Sequence, residues 1–190
     1  AATAVAIGVG CLVSGSLDRT IDDAKWAADG RSIYIRYDDK AVTRVARVSL
    51  DGRIEQVTQG LSNAGLDRPY TGGAFSVSAN GTVAFTNGTP QRPSEISISR
   101  GGRVTQLTHL NDNLFADKKL GAVKPLSVAS SVDQRPIDAW LVTPPNFDAA
   151  KKYPLILEIH GGPFAAYGPL FSTDYQLYAA AGYVVLYTNP

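Results

Sequence analysis

The sequence predicts an all-β repeat followed by the opening of an α/β sheet. Three observations carry that prediction. Short strands and glycine turns recur with a step near fifty through the first 110 residues. Residues 111–125 are polar, charged and without a period. From residue 152 onward the pattern becomes strand, glycine loop, helix, strand.

The repeat reads directly. Trp26-Ala27-Ala28-Asp29-Gly30-Arg31 is echoed by Val77-Ser78-Ala79-Asn80-Gly81-Thr82, and Gly52-Arg53-Ile54 is echoed by Gly102-Arg103-Val104. Leu17-Asp18-Arg19 recurs as Leu66-Asp67-Arg68, and residues 12–15 match residues 57–60 as the tail of a still earlier copy. Asp-Gly and Asn-Gly pairs supply the positive φ angles of tight hairpins between β-branched and aromatic strands. Such a period is the signature of β-propeller blades. Residues 1–110 are therefore expected to be the C-terminal blades of a propeller. A blade buries its faces against its neighbours, so further blades are expected before Ala1. Arg19 and Arg68, at one position in both copies, read as repeated Asp–Arg or solvated loop residues rather than substrate contacts. Trp26 and Trp140 read as packing residues and His109 as a surface or interblade residue.

Residues 111–125 are expected to be a hinge. Residues 126–131 and 136–142 read as a hairpin around Asp133-Gln134, and residues 143–147, with two prolines, as a rigid connector. Residues 155–159, an apolar run broken by Glu158, favour a buried strand. Residues 172–181 have helical spacing with Gly182 at the C′ position, and residues 183–187 read as a second strand. A βαβ unit implies a parallel sheet covered by helices. Glu158 would be costly if buried unpaired, so a hydrogen bond to a neighbouring loop is expected.

His160-Gly161-Gly162-Pro163 leaves the carboxyl end of the first of these strands, where open α/β sheets bind ligands. Two glycines let backbone N–H groups approach a substrate without Cβ obstruction. A carbonyl oxygen gaining charge in acyl transfer needs such donors. The strand before and the helix after select an oxyanion-hole loop over a plain turn. The catalytic partners are absent from the sequence. No G-x-S-x-G occurs, and the only histidines are His109 and His160.

Composition narrows the partners. Eighteen basic residues against seventeen acidic ones, with no basic run, imply neither nucleic acid nor an anionic membrane as partner. One cysteine excludes an internal disulfide, and the lack of a Cys, His or carboxylate cluster implies no metal and no cofactor. Residues 1–13 are apolar and include Cys11, but they lack a basic start and are too short to span a bilayer, so residues 3–7 read as an interior strand. A soluble chain of cytoplasm or periplasm is expected. The absence of Met suggests an internal piece of a longer chain.

The stretches Y-P-L-I-L-E-I-H-G-G-P-F and F-S-T-D-Y-Q-L-Y-A-A-A-G-Y-V-V-L-Y-T-N-P resemble the start of the peptidase domain of the prolyl oligopeptidase family, in the acylaminoacyl-peptidase and dipeptidyl aminopeptidase branch. The similarity is specific over residues 126–190 and diffuse before them. It implies an α/β-hydrolase domain, beginning at residues 126–190, capped by a β-propeller, so that the chain is a fragment of both. It implies a serine peptidase acting on short peptides, with a Ser-Asp-His triad beyond residue 190 and the Gly162 N–H as oxyanion donor. Asn189-Pro190 match the start of the loop after the next strand. A further segment, from the same polypeptide or a second chain, is expected to complete the sheet, whose last strand would otherwise be an unpaired edge. A carboxylesterase with a His-Gly-Gly oxyanion loop and a non-catalytic propeller binding protein remain alternatives.

Overall fold

A computed structural model describes residues 6–7, 11–162 and 164–189. Ala6–Ile7 (β1) pairs antiparallel with Cys11–Leu12 (β2); the rest of the strand expected over residues 3–7 lies outside the described residues. By their internal contacts the residues form two compact units. The first comprises Ala1–Ser62, Gly72–Asn87 and Glu95–Thr108; the second comprises Asn63–Thr71, Gly88–Ser94 and His109–Pro190.

The first unit is built from antiparallel strands. Ile21–Trp26 (β3), Ser32–Asp39 (β4), Val42–Ser49 (β5) and Ile54–Leu61 (β6) form one four-stranded meander. Phe75–Val77 (β7), Val83–Thr89 (β8), Arg92–Arg100 (β9) and Arg103–Gln106 (β10) follow in the same succession. A single pairing, Leu61 opposite Asn87, joins β6 to β8. The result is one open sheet whose path runs from β10 to β3, with β7 set off beside β8.

Turn chemistry recurs with the strands. Gly30 (φ 65°) and Gly81 (φ 79°) take the left-handed conformation that the Asp-Gly and Asn-Gly pairs predict. Asp29 Oδ1 accepts from the Arg31 N–H at 2.9 Å, and Asn80 Oδ1 accepts from the Thr82 N–H at 3.1 Å. Both sides of β4 and β5 are buried. Ile33, Ile35, Tyr37, Ala46 and Val48 pack with Val13 on one side. Tyr34, Val45 and Leu61 of the first meander pack on the other with Phe75, Val83 and Phe85 of the second. Trp26 is outside both clusters and 54% exposed, contrary to the packing role expected of it. It ends the outermost strand of the sheet, with β4 as its neighbour on one side.

The second unit contains Asp112–Phe115 (α1), Ala122–Ala129 (β11), Pro136–Thr143 (β12), Leu155–Ile159 (β13), Thr173–Ala180 (α2) and Val184–Asn189 (β14). Its sheet has the order β11-β12-β14-β13. Only β13 and β14 are parallel, so the expected parallel sheet is a mixed one. The stretch read as a hinge contains α1 and the start of β11. Polar Lys124 and Pro125 hide that strand in the sequence. Proline is tolerated because β11 is an edge strand, where a missing N–H costs no ladder bond on the open side.

The α2 helix forms as its sequence predicts. Ser172 caps it by accepting from the Tyr175 N–H at 3.2 Å, and Gly182 (φ 93°) follows its end. The helix buries Tyr175 and Ala179, and Tyr175 meets Tyr187 of β14, on which Trp140 of β12 stacks at 5.2 Å. Gln176, also buried, receives the Gly121 N–H at 2.7 Å and so ties α2 to the chain entering β11. The edges of the sheet differ from expectation. Among the described residues β14 lies inside the sheet and β13 stands at its edge. Leu155, Leu157 and Ile159 are 59%, 54% and 61% exposed. Apolar composition marks a strand's capacity for burial, whereas its place in the sheet decides how much of it is covered.

Candidate functional site

The strand β13 ends at Ile159, and His160-Gly161-Gly162 follow at the carboxyl end of the parallel pair. Pro163, the fourth residue of the expected loop, lies outside the described residues. The two glycines differ. Gly161 faces open space where a Cβ would stand. Gly162 has φ 149°, and a Cβ there would lie 3.2 Å from the amide nitrogens of both Phe164 and Ala165. An L side chain at 162 meets an unfavourable backbone conformation and close backbone atoms together, so any substitution there is strained.

The loop is anchored on both sides of the glycines. The His160 ring stands edge-on to Tyr167, with centroids 5.1 Å apart, and Tyr70 lies 6.4 Å from it. The Tyr167 N–H donates to Asn189 Oδ1 and Asn189 Nδ2 donates back to the Tyr167 carbonyl, each at 2.8 Å. This reciprocal pair ties the returning loop to the last residue of β14. Pro190, matched with Asn189 in the sequence, lies outside the described residues.

A second set of anchors comes from Asn63–Thr71. The Thr71 N–H donates to the Ala166 carbonyl at 2.9 Å, and the Gly168 N–H donates to the Pro69 carbonyl at 2.8 Å. The Thr173 N–H donates to the Leu66 carbonyl at 2.7 Å, and Ser172 Oγ donates to the Asp67 carbonyl at 2.6 Å. Arg68 completes the set. Its guanidinium donates to Asp174 in the first turn of α2 and lies 3.5 Å from Glu158 Oε1 on β13. Glu158 thus has its loop partner, and that partner is a cation.

Electrostatics follow from these contacts. The hydrogen bond to Asp174 raises the pKa of Arg68 against the opposing cost of burial, and Glu158 adds to the rise. Burial raises the phenols of Tyr175, Tyr187 and Tyr167. These three therefore stay neutral at neutral pH and form a packed wall beneath the loop. His109 lies on the surface, its Nδ1 3.0 Å from Asp112, which also receives Arg92. It belongs to an exposed ion cluster.

Periodicity had no means of finding Tyr70, Tyr167 or Asn189, because each acts through an irregular segment or a strand end. Arg68 carried a signal, the recurring Leu-Asp-Arg, but that signal pointed to repetition rather than to difference. Chemically, the loop can present main-chain amides to an oxygen gaining negative charge. A nucleophile in a G-x-S-x-G turn is not part of this sequence.

What the second unit defines is a βαβ unit with a backbone-bare loop at a strand's carboxyl end. No protein-family model matches the chain. It is 31% identical over 181 residues to the uncharacterized peptidase YuxL of Bacillus subtilis, covering 94% of this chain and 26% of that protein. It is 28% identical over 187 residues to dipeptidyl-peptidase 5 of Arthroderma otae, covering 94% and 24%. Among solved structures, the acylaminoacyl peptidase of Pyrococcus horikoshii matches with a TM-score of 0.77 at 24% identity, over 95% of this chain and 27% of that one. An acylaminoacyl peptidase bound to Z-Gly-Gly-Phe-chloromethyl ketone matches with a TM-score of 0.79, also at 24% identity, over 96% and 27%. These relatives place the chain in the prolyl oligopeptidase family. It spans about a quarter of the length of the relatives it matches.

Proposed function

We propose that this chain is part of a serine peptidase that hydrolyses short peptides, of aminopeptidase or oligopeptidase type. In this reading the two meanders are the last blades of a β-propeller. The mixed sheet with α2 is the first part of an α/β-hydrolase domain. The domains follow the sequence as blades to residue 110, a connecting segment over 111–125, and the hydrolase from residue 126. The observation that carries the reading is Gly162, where a side chain would be strained, at the carboxyl end of β13, in a chain whose relatives are named peptidases.

The chemistry assigned to the chain is electrostatic. As a serine attacks the scissile carbonyl, the carbonyl oxygen becomes an oxyanion. The Gly162 N–H donates to it, held in place before the reaction so that no reorganisation is needed then. His160 packs the loop against Tyr167 and takes no proton in this scheme. The serine and its Asp and His partners are assigned to sequence beyond residue 190, from the same polypeptide or a second chain. That segment also completes the sheet beyond the exposed edge of β13.

The test is hydrolysis by the full-length protein. Aminoacyl- and dipeptidyl-4-nitroanilides are expected to be cleaved in preference to 4-nitrophenyl acyl esters, and a fluorophosphonate is expected to label a serine outside this chain. Ester cleavage alone would favour a carboxylesterase. No labelling and no turnover would leave a binding protein.

A further inference from the structure

The copied tripeptide Leu66-Asp67-Arg68 lies against the loop that carries Gly162. Four hydrogen bonds join residues 66–71 to residues 166–173, two between strand-like backbones and two at the start of α2. Arg68 adds a different kind of contact. Glu158 precedes the loop on β13, and Asp174 follows it on α2. One planar guanidinium engages both, and it lies over the Tyr175 ring with its carbon 5.6 Å from the ring centre. The loop of residues 160–172 therefore leaves and re-enters the fold at two carboxylates joined by a single cation. Tyr70 closes the same arrangement from above, its ring 4.9 Å from Tyr167.

We propose that Arg68 is a positioning residue for the Gly162 loop, stapling the end of β13 to the start of α2. This rests on the peptidase reading for its catalytic consequence, though not for the staple itself. The chemistry favours arginine. Its fork can donate to two carboxylates at once, whereas a lysine ammonium is a single point charge on a flexible stem. Both carboxylates are partly shielded from water, so the pairing is screened less than at an open surface. A misplacement of about 1 Å in a positioned group can cost about a hundredfold in rate, so the geometry of the loop bears directly on kcat.

The expected signature is a loss in kcat with KM held. In the full-length protein Arg68→Ala is expected to lower kcat about tenfold and leave KM within about twofold, since only donor placement changes. Glu158→Gln is expected to do the same to a smaller extent. Combined with Arg68→Ala it should add little, because both act through one contact. Arg68→Lys, which keeps a charge for Asp174, should fall between. Hydrogen–deuterium exchange supplies a readout that needs no turnover. Amides of residues 159–162 and of Phe164 should exchange faster in Arg68→Ala, while those of the β11–β12 hairpin stay as in the wild type and report that the fold is intact. Unchanged exchange at residues 159–162 and Phe164, or a KM rise with kcat intact, overturns the proposal. A wild-type protein without hydrolase activity overturns the peptidase reading instead, and the exchange experiment still decides the staple.

Discussion

The two copies of Leu-Asp-Arg are identical in sequence and opposite in use. In the first, Arg19 reaches Asp39 at 2.8 Å and the Asp18 carbonyl at 2.7 Å, and the chain passes almost at once into β3. In the second, Arg68 engages Asp174 and Glu158, and residues 63–71 join the second unit before the strand β7 forms. The second copy is longer by two residues between its arginine and its turn glycine, and it carries Gly72-Gly73 there. Both glycines have positive φ, at 125° and 132°. Gly72 donates its N–H to Thr43 Oγ1 at 2.7 Å, and the Gly73 carbonyl accepts from Arg36. A repeat thus keeps its register while one copy of a loop is diverted to other work. The teaching is that a recurring tripeptide reports common ancestry of position, and its partners report function.

Alkali separates the two neighbourhoods by number, since burial raises the Tyr37 phenol in the first unit and three phenols in the second. Tyr167, Tyr175 and Tyr187 of the second unit have folded pKa values raised by burial above the ordinary 10.0. Their stabilising contribution is complete below that value. It declines as pH rises past it, because the unfolded chain then releases phenolic protons that the folded chain retains. Each such tyrosine costs at most about 1.4 kcal/mol per pH unit above that point, and only until the pH passes its own folded value. Phenolate absorbance and circular dichroism on a pH jump should show delayed ionisation followed by cooperative loss. Immediate titration of all tyrosines near the ordinary value would refute the packed wall.

Gly73→Ala is the next largest effect. A Cβ there would stand 2.8 Å from Thr86 Oγ1 and 2.9 Å from the Ser62 carbonyl oxygen, in a conformation that disfavours side chains. A destabilisation of about 3 kcal/mol is expected in urea unfolding. At Gly72, where a Cβ meets nothing within 4 Å, alanine should cost only about 1 kcal/mol of backbone strain. Equal costs would show that the return of the diverted segment is not set by close approach.

The arginines themselves come third. Arg68→Ala should destabilise by about 2 kcal/mol, since it removes a charge-assisted hydrogen bond and an ion pair and leaves two partly shielded carboxylates without their shared cation. Arg19→Ala, at an exposed pair, should cost no more than about 0.5 kcal/mol. Thermal unfolding of both variants tests this, and a comparable loss at Arg19 would erase the distinction. The smallest change is Asp29→Asn, which makes the first turn resemble the second. The amide oxygen can still accept from the Arg31 N–H, and only the exposed pairing with Arg47 at 3.4 Å is lost. An effect within about 0.5 kcal/mol is expected.

Much of the local structure was legible before any coordinates. Gly30, Gly81 and Gly182 adopt the positive φ values their neighbours announced, and Ser172 caps α2. The strands 155–159 and 184–189 pair in parallel around that helix, as the βαβ pattern predicted. These features depend on residues close in the chain. The exposure of Trp26, the early start of β11 and the edge position of β13 among the described residues differ from expectation for the opposite reason. Each is placed by which strands lie beside it, and neither hydropathy nor period encodes a strand's neighbours.

The candidate site divides along the same line. His160, Gly161 and Gly162 could be named from the order strand, glycines, helix, since a short run of residues dictates that arrangement. Tyr70, Tyr167 and the Glu158–Arg68–Asp174 staple could not, and Asn189, matched through the resemblance alone, takes its partner Tyr167 from the fold. By itself, the sequence determined where the backbone turns, where the helix starts and stops, and where a bare loop leaves a strand. Tertiary structure alone decided the order of the strands and which of two identical arginines holds that loop. The physical reason is range: turn and cap preferences are settled within a few residues, whereas a guanidinium takes its partners from wherever folding brings carboxylates within reach.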